Sequence, residues 1–309
     1  MLEYMVSRYQ SLPVSPNRLR GWLITWLTQQ QAWCRDARFS AAFPWRETGL
    51  PQRYFLQREL HIEGHRYLTG PRYLGGDPDQ PFIDVVAMDG AINHQVACAI
   101  VQAWQALNPR YLRILLPAAH LAIGTPDQLI FLNHPESLSA ITRPDISLLP
   151  ATRKAYPVCL TTINRAYRAS WRALPAIRHQ LLATNKRELA KDIAQGNVFL
   201  IICQGMLVGL IICAMRRVGF IEGFQILDEV ILPAYRGQGL AAHAQQLLLR
   251  QLHHRYGDSA LLTGAILPGN APSLRSAEKA QRRCVLKYHF FTPDDFQPGQ
   301  QMMSEEEGK

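Results

Sequence analysis

The sequence is poor in several features that would each decide a function class. Only six residues are cysteine: Cys34, Cys98, Cys159, Cys203, Cys213 and Cys284. None forms a Cys-x-x-Cys pair, and none stands at metal-ligand spacing with histidine. Most lie in apolar runs, where a thiol packs as a small hydrophobe. This reads as a reduced, cytoplasmic chain without a disulfide framework. Long apolar runs are also missing. The longest, residues 198–203 and 206–215, are of strand length, far short of the ~20 residues a membrane helix needs. The first residues lack a basic stretch followed by an apolar run, so no secretory signal is expected. His61, His65, His94, His120 and His134 are scattered, and His253 and His254 sit near an expected helix end where the dipole favours them. No metal site is expected.

What is present points to a folded protein of two parts. The chain has 309 residues, which exceeds what one core usually organises, and 48% of them are apolar. The net charge is +9, but Lys and Arg are dispersed, with only small groups such as Arg216-Arg217 and Arg282-Arg283. A generally basic solvated surface is favoured over a dedicated nucleic-acid site, which stays open as an alternative. Oligomeric state is not readable.

The expected class is α/β with a mixed sheet. Residues 1–150 form an N-terminal α/β domain, 151–295 a second domain and 296–309 a flexible tail. The boundary falls in the weakly periodic segment 142–155, which carries Pro144 and Pro150. Ser15-Pro16 starts a helix with Leu19, Trp22, Leu23, Trp26 and Leu27 on one face. Strands follow at 54–62, 65–73 and 82–88, then a helix at 93–107 and a strand at 111–116. In the second part a strand is expected at 158–163. A helical region from Asn164 carries Tyr167 and Trp171, and a helix covers 186–194. A hairpin joins 198–203 to 206–216 across Gln204-Gly205. Then come a strand at 220–232, an amphipathic helix at 239–256, a strand at 260–266, a helix at 273–282 and a strand at 284–291.

The informative stretch is Ile231-Leu232-Pro233-Ala234-Tyr235-Arg236-Gly237-Gln238-Gly239-Leu240-Ala241. An apolar strand enters a glycine-bearing turn, and a helix begins at once. Unpaired N–H groups at a helix start, with a favourable dipole, suit an anion. Gly237 and Gly239 carry no side chain to block a phosphate, and Arg236 would add charge at the rim. A P-loop is excluded because no Lys follows Gly239, and a dinucleotide fingerprint because Ala242 stands where its third glycine belongs.

Arg236-x-x-Gly239-x-Ala241, preceded by Pro233 and Tyr235, resembles the coenzyme-binding motif of the GNAT superfamily of acyl-CoA N-acyltransferases, over residues 156–292. The resemblance implies acetyl-CoA or another acyl-CoA as co-substrate, no metal, and transfer of a short acyl group to a primary amine. It implies pyrophosphate on the N–H groups of Gln238 to Ala241 and pantetheine along Ile231 and Leu232. Asn270 and Ser273 resemble a downstream motif that contacts the cofactor arm. Where many members place a tyrosine acid, this chain has Ala277, which leaves Ser273, Ser276, Tyr288 or unassisted thiolate departure. The base candidates are Glu229, then Asp228, then Glu222. Asp228 and Glu229 should face opposite sides of a regular strand, which a bulge could change. A backbone N–H near Leu232 would hold the oxyanion.

The N-terminal half repeats the second in outline, and a degenerate tandem copy is the favoured reading, with an unrelated α/β domain as the alternative. Its loop Asp89-Gly90-Ala91-Ile92-Asn93 puts an Asp where a phosphate would sit, so it should not bind the coenzyme. The acceptor is open among an amino acid, a polyamine, an antibiotic, a peptide N-terminus, a lysine side chain and a tRNA-borne amine. An acyl carrier protein or aminoacyl-tRNA as donor, and a non-catalytic acyl-CoA-binding module, remain alternatives.

Overall fold

The computed structural model describes residues 1–121, 123–134 and 145–297. In chain order the elements are α1 (Leu2–Arg8), α2 (Pro16–Ala32), α3 (Ala37–Ala41), α4 (Trp45–Thr48), β1 (Arg58–Ile62), β2 (His65–Tyr73), β3 (Pro81–Met88), α5 (His94–Ala103), β4 (Leu112–Pro117), β5 (Thr125–Asn133) and β6 (Ile146–Pro150). They continue with α6 (Tyr156–Ala173), α7 (Lys186–Ala194), β7 (Val198–Cys203), β8 (Met206–Val218), β9 (Ile221–Ile231), α8 (Leu240–Tyr256), β10 (Leu262–Ile266), α9 (Ala271–Lys279) and β11 (Arg283–Phe291). The expected α/β class with mixed sheets is what the chain forms.

Two compact units result: Met1–Gln128 together with the residues from Val285 on, and Leu129–Cys284. In the first, the strand order is β1-β2-β3-β4-β11. The β1–β2 and β2–β3 pairs are antiparallel, β3–β4 is parallel and β4–β11 is antiparallel. In the second, β6-β7-β8-β9-β10 continues to β5, whose residues 129–133 pair with β10. There β6 through β9 pair antiparallel, β9–β10 is parallel and β10–β5 is antiparallel. Each unit thus runs hairpin, strand, helix, parallel strand, and each ends on a strand from elsewhere in the chain. The order of elements expected over 186–291 is the observed one.

Local rules explain most elements. The Ser15 side chain accepts the Arg18 N–H with Pro16 at the first helical position, and Leu19, Leu23 and Leu27 are buried. Asn185 and Glu188 close a reciprocal capping box on α7. Gln204 and Gly205 both have positive φ (50° and 77°), the conformation that a two-residue hairpin turn needs.

Four expectations need correction. Residues 158–163 are helix, not strand. Cys159, Thr162, Ile163 and Ala166 are the buried positions, at helical spacing, and Pro157 stands in the first turn of α6. Residues 54–57 are not strand either: Gln52–Phe55 is a 3-10 turn that buries Phe55. Ile146–Pro150, read as linker, is β6; the rest of that linker before residue 145 and the tail beyond 297 lie outside the described residues. The helix expected at 273–282 starts at Ala271, capped by Asn270, and stops at Lys279.

Two cores sandwich the second unit's sheet. Leu240, Ala244, Leu248, Leu249 and Leu252 of α8 pack on Val208, Ile211, Cys213 and Phe224. On the other face, Cys159, Ile163 and Ala166 of α6 and Leu189 and Ile193 of α7 pack on Leu210, Ile212 and Val230. Burying each Leu, Ile, Val or Phe side chain among them stabilises the fold by about 1.5–3 kcal/mol. None of the described helices is long and apolar enough to cross a membrane.

Candidate active site

The loop between β9 and α8 is open. Gly237 (φ 82°) and Gly239 (φ 74°) are in the left-handed region, which accounts for glycine at both positions. A Cβ at Gly237 would meet nothing within 4 Å, and one at Gly239 only His243 Nδ1 at 3.8 Å. Gly239 caps α8 without a side-chain bond. Among the described residues the N–H groups of Gly237, Gly239, Leu240 and Ala241 find no acceptor. These converge at the start of a 17-residue helix, a cradle suited to a diphosphate. Gln238 is exposed in the same turn.

Arg236 departs from the expected rim position. Its Nε donates to Ile231 O at 3.1 Å, and its Nη2 donates to Ala166 O at 2.9 Å and Ser170 Oγ at 3.0 Å. The guanidinium ties the loop to the end of β9 and to α6. It therefore sets the loop's position more than it meets a phosphate. Of the N–H groups near Leu232, its own donates to Val208 O at 2.8 Å and is engaged in the sheet. Backbone groups alternate along an antiparallel strand, so Ile231 turns its own N–H to the opposite edge.

That opposite edge is open. β9 and β10 pair only at Phe224–Leu262 and Gln225–Thr263. From Ile226 to Ile231, β9 has no partner in β10. An extended ligand arm would find free strand edge there. Asn270 Oδ1 accepts the Ser273 N–H at 3.3 Å, so this pair is first of all the cap of α9. Ala277 is fully buried against Phe131 and Ile266, and nothing at that position faces the opening. Tyr288 lies in the first unit, where it stacks over Arg113.

The three carboxylates are separated by a bulge. The β8–β9 register slips between Ile212 and Cys213, so that Leu227 is the extra residue. Before the slip, Phe224 and Ile226 pack on the α8 side; after it, Glu229 and Ile231 do. Leu227, Asp228 and Val230 face α6 and α7. Strict alternation from Phe224 would have put Asp228 toward α8.

Asp228 is buried and fully engaged. Tyr167 Oη donates to it at 3.0 Å, Thr184 Oγ1 at 2.7 Å and the Thr184 N–H at 3.3 Å. Burial raises its pKa despite these bonds. Glu229 receives a single bond, from Gln245 Nε2 to its Oε2 at 2.7 Å, while Oε1 is sealed from solvent with no partner. Burial pushes Glu229 up to about 7, against the Gln245 bond and the charge of Arg282. Glu222 is exposed and bonded by Arg217 at 3.2 Å. Gln245 also donates to Ser276 Oγ at 3.3 Å.

Gln245, Arg282, Tyr167 and Thr184 carry roles that sequence reasoning did not assign. Gln245 had a signal, being a polar residue between Ala244 and Leu248 on the apolar face of α8. Arg282 had none, since beside Arg283 it reads as surface charge, yet it is 5% exposed.

The matching loop of the first unit is closed. Asp89 accepts from the Arg66 N–H and from Arg66 Nε at 2.8 Å. Burial would raise its pKa, but these bonds hold it at about 2. Asn93 caps α5 through the Val96 N–H, and a Cβ at Gly90 would strike His65 at 2.4 Å.

No protein-family model matches the chain, and no curated protein matches it by sequence. Several solved structures are similar to it. A GNAT-family acetyltransferase from Colwellia psychrerythraea is 12% identical, with 87% of this chain and 97% of that one covered at a TM-score of 0.45. A GCN5-related N-acetyltransferase from Sphaerobacter thermophilus is 10% identical, with 75% and 78% covered at a TM-score of 0.45. Another from Kribbella flavida is 13% identical, with 82% and 94% covered at a TM-score of 0.44.

Proposed function

We propose that the second unit is an acyl-CoA-dependent N-acyltransferase of the GNAT type that moves an acetyl or other short acyl group to a primary amine. The observation that carries this reading is the row of unpaired amides at the start of α8, opening beside a strand edge that β10 leaves free. The pyrophosphate sits on the N–H groups of Gly237, Gly239, Leu240 and Ala241, and the pantetheine arm lies along β9 toward Ile231. Asn270 and Ser273 flank the arm from the start of α9. No metal takes part.

The neutral amine attacks the thioester carbonyl; the N–C bond forms, the C–S bond breaks, and the departing coenzyme A thiolate takes up the proton that the amide nitrogen sheds. An aliphatic ammonium of pKa near 10 must first lose a proton. Glu229 is assigned that proton because its Oε1 has no partner and its pKa lies near neutrality; Oε1 is sealed from solvent as it stands, so a local shift must admit the acceptor or a water to it. Asp228 is fully used by Tyr167 and Thr184, and Glu222 lies on the surface. The Ile231 N–H, next to Leu232, is assigned the oxyanion role. With Ala277 packed in the core, the thiolate departs unassisted or with Ser273 or Ser276; a thiol of pKa near 8.5 is a fair leaving group.

The first unit is proposed as a second copy of the same plan that does not hold coenzyme, with Asp89 occupying the place of the phosphate. The coenzyme segment 151–295 and the N-terminal segment 1–150 stand as proposed domains in this sense.

Gly239→Glu should abolish acetyl-CoA binding in calorimetry while the circular dichroism spectrum is kept, since the new carboxylate lands in the anion cradle. Undiminished affinity would remove the site. Turnover with a panel of amines separates an enzyme from a binding module, which would hold acetyl-CoA without releasing free thiol.

A further inference from the structure

Beneath β9 lies a buried polar group that an acyl-transfer cleft does not by itself require. Gln245 on α8 stands between two ions: its Nε2 donates to Glu229 Oε2 at 2.7 Å, and its Oε1 accepts from Arg282 Nη1 at 3.3 Å. Arg282 follows α9 and is 5% exposed, with its N–H fixed to Ala277 O at 2.9 Å and its guanidinium 5.9 Å from the Phe131 ring centre. Its Nε and Nη2 have no partner, nor do Thr263 Oγ1 and Glu229 Oε1. The strand beside it is shaped to the guanidinium: a Cβ at Gly264 would fall 2.4 Å from Nη2. A buried arginine with unsatisfied donors weakens a fold by itself, so its retention calls for a role.

We propose that Arg282, acting through Gln245, is the positioning residue that orients the Glu229 carboxylate, holding Oε2 and presenting Oε1 for proton transfer. The amide relay turns a distant charge into a directed hydrogen bond. Were Arg282 absent, Gln245 could rotate and Oε2 would lose its donor. The relay also joins two functions on one helix, because α8 carries the amide cradle at its first turn and Gln245 further along. This proposal rests on the reading of Glu229 as the base.

The charged and titratable groups around Glu229 are few. Arg282 comes from the segment after α9, Cys213 from β8, and Asp228 is its neighbour on the far face of β9; α8 contributes the neutral Gln245 and α9 the neutral Ser276. Burial lowers Arg282 to about 10, against the charge of Glu229, and raises Cys213 to about 12. Arg282 is therefore the one cation acting on the carboxylate through neutral pH in this set.

The test is the carboxyl carbon titration of Glu229 by NMR in the full chain without coenzyme, assigned by its loss in Glu229→Gln. Arg282→Met should raise the midpoint by about one pH unit, Arg282→Lys should restore most of it, and the pH–rate profile should move with the midpoint. If Arg282→Met does not fold, Gln245→Met asks the same question with the guanidinium in place, and the midpoint should again rise. An unmoved midpoint in the folded variants overturns the proposal. An unchanged rate in Glu229→Gln overturns the base assignment instead, and leaves the titration to decide the relay separately.

Discussion

At the scale of single residues, Glu229 sets activity and stability against each other. Its carboxyl lies near an ordinary 4.5 in the unfolded chain and at about 7 in the fold. Between those values the folded state holds a proton that the unfolded state has released. The group's contribution to stability is therefore complete below about 4.5 and is lost as pH rises toward 7. As the proposed base, in contrast, Glu229 becomes competent over the upper part of that range, so the rate should rise with pH through about 7. Glu229→Gln should lower kcat by about 10²–10⁴-fold with little change in the Kd for acetyl-CoA. In urea unfolding it should gain roughly 1–3 kcal/mol on the wild type between pH 5 and pH 8. A difference that does not change with pH would show that the carboxyl titrates normally.

At the scale of elements, the structure rests on caps and on one slip of register. The Asn185–Glu188 box starts α7 immediately after Thr184, whose hydroxyl and N–H hold Asp228. Asn185→Ala should cost about 1 kcal/mol, read as a lower denaturant midpoint at unchanged slope. An unchanged midpoint would mean the box adds nothing to the packing of α7. Such helices were legible in the sequence because their signals are local: α2, α7 and α8 were each expected within a residue or so of their observed starts. The glycine turn was legible for the same reason. Residues 158–163 were misread because a short apolar run serves either geometry, and only the contacts of Cys159 and Ile163 with the sheet decide it. β5 went unseen because its first half is polar and carries Pro126. The reach of Arg236 to α6 and the bulge at Leu227 are tertiary matters. No local pattern says which way a long side chain turns or where a register slips.

At the scale of the whole molecule, sequence order and structural order part company. The second unit includes residues 129–133, which pair with β10, and the first unit includes 285–291, which pair with β4. A fragment of residues 151–309 would leave β10 an exposed edge, the kind of edge that recruits other chains. That fragment should aggregate or lose cooperative unfolding, whereas residues 129–284, which keep the β5–β10 pair, should unfold cooperatively and bind acetyl-CoA. Equal behaviour of the two in sedimentation and calorimetry would show that β5 is dispensable.

The late arrival of β11 also imposes an order on synthesis. When Gln128 leaves the ribosome, the first unit still lacks its closing strand, and about 150 further residues must be translated before it appears. At typical elongation rates that is a wait of roughly 8 to 30 s. For that interval the edge of β4 is bare in the nascent chain, and the unit encoded later is complete just before the closing strand appears. The half made first is thus the half that folds last, and it is where a chaperone would be needed.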